Sequence, residues 1–335
     1  MNLIYSSRLV VRKLIPVSLM LSTVLLGACS TLQQSASTAP LQPQAQLYLL
    51  GEVHDNPAGH QLRLNHIRQI AQQHQSLVLL MEQFDFEQQA RLNEAQQRCR
   101  EVSCLLDYMA QPATSQSHTS GAAQASARSN WHWPNYHVLL QLALDQRMPI
   151  VAANLSREQA RKLMRADYAE VFSPAQLQRW QLSLGQQGGV HQELHQAQRD
   201  EVMQAHCQQV PAQLADGMAK AQIARDILMA ESLLQQTGVA VLVAGNGHVR
   251  KDRGVPYWLN FAARQQAGAT VSSQPQAATP AQPGGSRKNW LSVGYLETAP
   301  ASTSYADQII SIPAIARADP CASLSMPGQS TKENS

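Results

Sequence analysis

Four short runs of uninterrupted apolar residues, at 47–50, 77–81, 149–153 and 239–244, constrain the fold more than anything else in this chain. A strand with one face in water alternates polar and apolar side chains, whereas a run without alternation is covered on both faces. Between these runs the apolar residues recur with a helical period. After the first run, Asn56 and Pro57 supply a capping side chain and a first-turn proline. The helix they open puts Leu62, His66, Ile67, Ile70 and Ala71 on one face. Residues 131–146 also read as a helix, residues 156–236 as a broken helical stretch, and 291–297 and 308–312 as a last pair of strands. Buried strands separated by helices define an α/β fold: a mostly parallel central sheet flanked by helices. The helical stretch is then a large insertion between strands three and four. One domain over residues 46–313 is expected, with residues 111–130 and the low-complexity segment 265–289 as surface loops and residues 314–335 as a C-terminal tail.

The N-terminus has the layout of an export signal. Arg8, Arg12 and Lys13 precede an apolar run at 14–26, which is too short to remain as a membrane span and ends in Leu26-Gly27-Ala28-Cys29. Small residues directly before a cysteine match the site where a signal peptide (residues 1–28) is removed and the thiol lipidated. Cys29 is therefore the expected acylation site, with palmitate among its lipids, and residues 29–45 a flexible tether. Ser30, not an acid, follows it, which points to the outer membrane. The whole chain carries +3; removing three cations and no acids leaves 3 − 3 = 0. A neutral mature chain lacks the charge of a nucleic-acid binder.

Cys99, Cys104, Cys207 and Cys321 remain. An even number outside the cytoplasm suggests two disulfides. Cys99 and Cys104 are near enough to pair locally, which leaves Cys207 for Cys321, although four cysteines allow three connectivities.

Ligands of such sheets bind beyond the carboxyl ends of the strands. Glu52 and His54 stand there after the first run, Glu82 after the second, Asn154 and Arg157 after the third, and Gly245-Asn246-Gly247-His248 after the fourth. Two carboxylates and two imidazoles facing one crevice can bind a divalent metal, act as a base–acid pair on a substrate, or simply tie the strand ends together. Trp131, Trp133, Tyr136 and His137 form an aromatic group that can either pack as a plain core patch or line a flat apolar ligand, and a tyrosine phenolate can ligate ferric haem. His191, Glu193 and His195 read as solvated helix surface, because HQELH lacks the glutamate beside the first histidine that a zinc-protease helix carries. Gln222, Arg225 and Asp226 form a polar group on a later helix.

Several segments in this order resemble the ChaN-type haem-binding lipoproteins. They are Leu50-Gly51-Glu52-Val53-His54-Asp55-Asn56 with His60, Met81-Glu82-Gln83-Phe84, residues 131–136, and Val151-Ala152-Ala153-Asn154-Leu155. His206-Cys207, Ala221-Gln222, Arg225-Asp226 and Ala244-Gly245-Asn246-Gly247-His248-Val249-Arg250 continue the match. Ser156 departs from it where proline is expected. The resemblance implies haem b binding in iron uptake, with two haems stacked in a homodimer and an outer-membrane haem receptor as a further partner. It implies a tyrosine ligand, assigned to Tyr136 ahead of Tyr168 and Tyr257, with His206 and Lys251 of the partner as propionate contacts. The Gly-x-x-His pairs ending in His54 and His248, with Glu82, are also similar to the wider TraB/Tiki and erythromycin-esterase superfamily. There the same positions serve metal-dependent proteolysis or hydrolysis, so Glu52, His54, Glu82 and His248 carry an alternative reading as a hydrolase site.

Overall fold

The structure, a computed structural model, describes residues 41, 44–111, 131–182, 191–271, 288–300, 302, 304–319 and 321–322. The signal segment and Cys29 lie outside these residues, as do most of the tether and most of the loops expected at 111–130 and 265–289. Among the described residues no helix is long and apolar enough to cross a membrane.

Six strands form one sheet: β1 (Leu47–Leu50), β2 (Leu77–Asp85), β3 (Ile150–Asn154), β4 (Val239–Val243), β5 (Trp290–Leu296) and β6 (Gln308–Ser311). Their order across the sheet is β3-β2-β4-β1-β5-β6, and every pairing is parallel. Three of the four uninterrupted apolar runs, β1, β2 and β4, are thus inner strands of a two-faced sheet, and the other, β3, stands at its edge. Tyr48 and Leu50 point into one core and Leu47 and Leu49 into the other, as the twofold period of a strand requires.

Helices α1 (Pro57–Gln73), α2 (Gln89–Arg98), α3 (Val102–Ala110) and α4 (His137–Asp145) cover the first face. The expected insertion covers the second, as α5 (Arg157–Arg165), α6 (Pro174–Arg179), α7 (Gln192–Ala205) and α8 (Ala212–Gln235), joined by α9 (Val255–Val271). This division positions the site. From β1 the chain leaves to the first face, and from the neighbouring β4 it leaves to the second. The loops after β1 and β4 therefore diverge and open a crevice at the carboxyl edge, the switch point where such sheets bind ligands.

Four boundaries differ from expectation. Residues 131–146 are not one helix: Pro134 sits in a short 3₁₀ turn, Trp133–Asn135, before α4 begins. Helix α9 continues to Val271, into the expected loop, because Gln and Ala are good helix formers. The tether ends early, since Leu41 and Ala45 are buried against the core. The tail is held to the body: Arg317 pairs with Asp55 and Glu297, and Cys321 is bonded to Cys207. Cys99 is bonded to Cys104, across the junction of α2 and α3.

Candidate functional site

Glu52 is the most enclosed group of the crevice. Just past the end of β1 it lies on the α1 face, and it is only 2% exposed. It accepts from the Tyr136 hydroxyl at 2.5 Å, from Gln83 Nε2 at 3.1 Å and from His54 Nδ1 at 2.7 Å, and it pairs with the Arg63 guanidinium. Burial alone would raise its pKa, but Arg63 and His54 overcome this and hold the carboxyl at about 2. Arg63 also donates to His60 Nδ1 at 2.8 Å. Arginine cannot accept, so His60 carries its proton on Nε2 and donates it to the His54 carbonyl at 2.9 Å. Burial and the neighbouring Arg63 lower the His60 pKa, consistent with a neutral ring.

Glu82 belongs to the other face. Its Oε2 accepts the Gly245 N–H at 2.7 Å, and its Oε1 lies 3.5 Å from His248 Nε2. The other ring nitrogen of His248 lies 2.6 Å from Asp226 Oδ1, on α8. An imidazole between two buried carboxylates holds its proton: although burial opposes the charge, Glu82 and Asp226 raise the His248 pKa to about 10. Glu82 is correspondingly held at about 2, burial again being outweighed by His248.

His54 bridges the two halves. Its Nδ1 is fixed by Glu52, which leaves Nε2 toward the crevice, and the side chain is 47% exposed. Gly245 makes room for it, since a Cβ there would stand 3.1 Å from His54 Nε2. Gly51 serves the same purpose for Asn246, whose Oδ1 occupies the space that a Cβ would take. An orienting carboxylate, a half-exposed imidazole and an imidazolium beyond it form a base–acid arrangement. Among the described residues no group of three or more His, Cys, Asp or Glu is arranged to hold a metal ion.

Beside this polar floor, over the ends of β2 and β3, is a cavity of about 630 Å³. Phe84, Trp131, Trp133, Leu106 and Met109 give it an apolar wall, while His54, Glu82, Asp85, Arg157 and Arg225 line the polar side. Phe84 and Trp133 are in contact at a tilt of 34°, their ring centroids 5.3 Å apart. Burial, with Glu87 nearby, raises the Asp85 pKa to about 6.

The structure brings Glu52, His54, Glu82 and His248 together as strand-end logic expects. It changes the reading of the other residues. Tyr136 is fully buried and spends its hydroxyl on Glu52, and burial beside that carboxylate raises its pKa far above the ordinary value. In this arrangement its hydroxyl supports Glu52. Tyr168 is buried in the second core, and the Tyr257 hydroxyl meets His191 Nδ1. His206 lines a separate hollow beside Arg225, and Lys251 pairs with Asp307, so neither adjoins Tyr136 within one subunit. His191 is not solvated surface. It is buried at the start of α7, between the Trp180 carbonyl and Tyr257, because the aromatic rings of Trp258 and Phe261 close over it. Sequence reasoning missed Arg63, although a charged residue on the apolar face of α1 is the available signal. It also left Asp226 as an unspecific neighbour of Arg225.

An α/β sheet with a polar crevice at its switch point and an aromatic cavity alongside defines a ligand-binding protein of the doubly covered parallel-sheet class. The family described as haem-binding uptake, Tiki superfamily, ChaN, matches residues 41–259, and the chain belongs to it. Among solved structures, the chain is similar to ChaN of Campylobacter jejuni, described with cofacial heme binding. Identity there is 17%, coverage 79% of this chain and 86% of that one, and the TM-score 0.55, so the two share a fold. An erythromycin esterase mutant in its open conformation is 12% identical over 75% of this chain and 70% of that one, at a TM-score of 0.33. No curated protein matches the sequence.

Proposed function

We propose that this protein is a lipid-anchored haem-binding protein of the outer membrane, acting in haem uptake as a homodimer beside a haem receptor. The observation that carries the reading is the cavity between Trp131, Trp133, Phe84 and the arginines: an apolar wall opposite two cations suits a flat ring system with carboxylate substituents. Its volume of about 630 Å³ lies within the range of small-molecule sites. Haem fits the residues present in shape and polarity. When bound it supplies an iron centre, while the protein supplies the apolar wall, the cations and the exclusion of water. The lipid anchor rests on the sequence before Cys29. Dimerisation with stacked haems rests on the family and on the cofacial binding described for the Campylobacter protein.

A haem titration of the purified chain tests this, followed by absorbance and by size-exclusion chromatography. Saturation near one haem per chain with a shift from monomer to dimer is expected. Trp133→Ala should weaken binding by about tenfold, as loss of a stacking aromatic does. Absence of saturable binding would overturn the reading.

A second reading is favoured by one observation: His54, oriented by ionised Glu52, faces the His248 imidazolium across Gly245. This is the geometry of a general base and acid for hydrolysis. Ester or peptide hydrolysis by the parent that His54→Ala abolishes would put this reading first.

A further inference from the structure

Three hollows run along the carboxyl edge of the sheet: the aromatic cavity, the polar crevice and the recess beside α7 that contains His206. Arg225 lines all three. Its position follows from α8, whose apolar residues are buried against the sheet while Gln222, Arg225 and Asp226 turn toward the strand ends.

The partners of Arg225 are unusual for an enclosed cation. Nε donates to the Asn154 side-chain oxygen at 3.2 Å, and one terminal nitrogen donates to that of Gln222 at 2.7 Å. Both acceptors are neutral amides. A guanidinium has five N–H donors, and these bonds use two of them. Three acids lie near enough to feel the charge: Glu82, Asp226 and Asp85. Glu82 is taken by His248 and the Gly245 N–H, and Asp226 by His248. Among the described residues no carboxylate closes an ion pair with Arg225. A half-buried guanidinium stays charged and gains from a counter-ion. The remaining acid, Asp85, lines the same cavity and offsets part of the charge without closing an ion pair, while the amides hold the fork in place at the cavity wall. Arg157, at the start of α5, lines the same cavity.

We propose that Arg225, seconded by Arg157, is the anion anchor of the aromatic cavity, holding a carboxylate of a flat ligand whose ring system lies on Phe84 and Trp133. The inference rests on the haem reading in one respect: if the ligand is haem, the carboxylate is a propionate. The contact is made within the subunit that holds the aromatic wall, and so differs from propionate contacts supplied across a dimer by His206 and Lys251.

The test compares haem with its dimethyl ester, in which both propionates are neutral, by absorbance titration of the parent chain and of Arg225→Gln. Charge-assisted hydrogen bonds of this kind are worth about 10- to 100-fold in affinity. The parent should bind haem more tightly than the ester by about that factor. Arg225→Gln should lose that preference, binding haem about as weakly as the parent binds the ester while its affinity for the ester changes less than about twofold. Arg225→Lys, which keeps the charge without the planar fork, should recover part of the loss. Thermal unfolding of both variants separates lost binding from lost folding. Equal weakening of haem and ester by Arg225→Gln, or no weakening of haem, would overturn the proposal.

If the parent binds neither porphyrin, the haem reading fails on its own, and a fluorescent pyrene carboxylate against its neutral amide decides the anchor. A preference for the carboxylate that Arg225→Gln removes would uphold it. The same affinity for both probes would overturn it.

Discussion

Glu52 and Glu82 stand at the ends of nearby strands and face one crevice, yet they are held in different ways. Glu52, on the α1 face, is enclosed by Arg63, Tyr136, Gln83 and His54. Glu82, on the α8 face, has the Gly245 N–H and His248, and it borders both the polar crevice and the aromatic cavity. The first carboxylate has its oxygens occupied by the protein itself. Its task is to orient His54 and tie β1 to α1 and α4. The second keeps an imidazolium charged beside open space. The crevice therefore has a structural half and an available half, with His54 between them.

The largest expected effect falls on the structural half. Arg63→Met leaves Glu52 buried without its cation and should cost about 3–5 kcal/mol in a denaturant titration. A loss below about 1 kcal/mol would mean that Glu52 is not held as described, and the contrast with Glu82 would collapse. On the other half the signature is pH. The folded pKa of His248, about 10, lies above its ordinary value of 6.5. Its contribution is therefore complete below pH 6.5 and is lost as pH rises through about 10. The parent should lose about 3–4 kcal/mol between pH 7 and pH 10 relative to His248→Gln, measured as the difference between their unfolding curves. Parallel curves would remove the imidazolium from the picture. The smallest effect sharpens the boundary between the halves. Tyr136→Phe removes one donor to Glu52 and should cost about 1–2 kcal/mol. It should leave the absorbance of the haem-loaded protein unchanged. A changed spectrum would return Tyr136 to the ligand and place both carboxylates in one binding site.

Much of this arrangement was legible before the fold was seen, for a reason that particular residues make plain. Leu47–Leu50 and Val239–Val243 carry no alternation, so they had to be inner strands, and whatever followed them had to stand at the carboxyl edge. That places Glu52, His54 and His248 at a switch point by local pattern alone. The surroundings of Tyr136 are not legible locally, for the opposite reason. Its neighbours Trp131 and Trp133 line a cavity, but the turn at Pro134 rotates the next side chain inward, and nothing local says toward which carboxylate. The burial of His191 is not legible locally, because it comes from Trp180, 11 residues away, and from the distant α9. Arg225 and Asp226, neighbours in sequence, have separate tasks: one meets His248 and the other the amides of Asn154 and Gln222.

The strands, the faces they bury, the strand-end residues and the family are readable from the chain alone. These depend on period and order, which short stretches of chain express on their own. Which carboxylate is saturated, which cation forms no ion pair and which cysteines meet come from the folded arrangement. Those are matters of distance between α1, α4, α8 and the strand ends, and solvation and charge pairing are settled only when such elements close on one another.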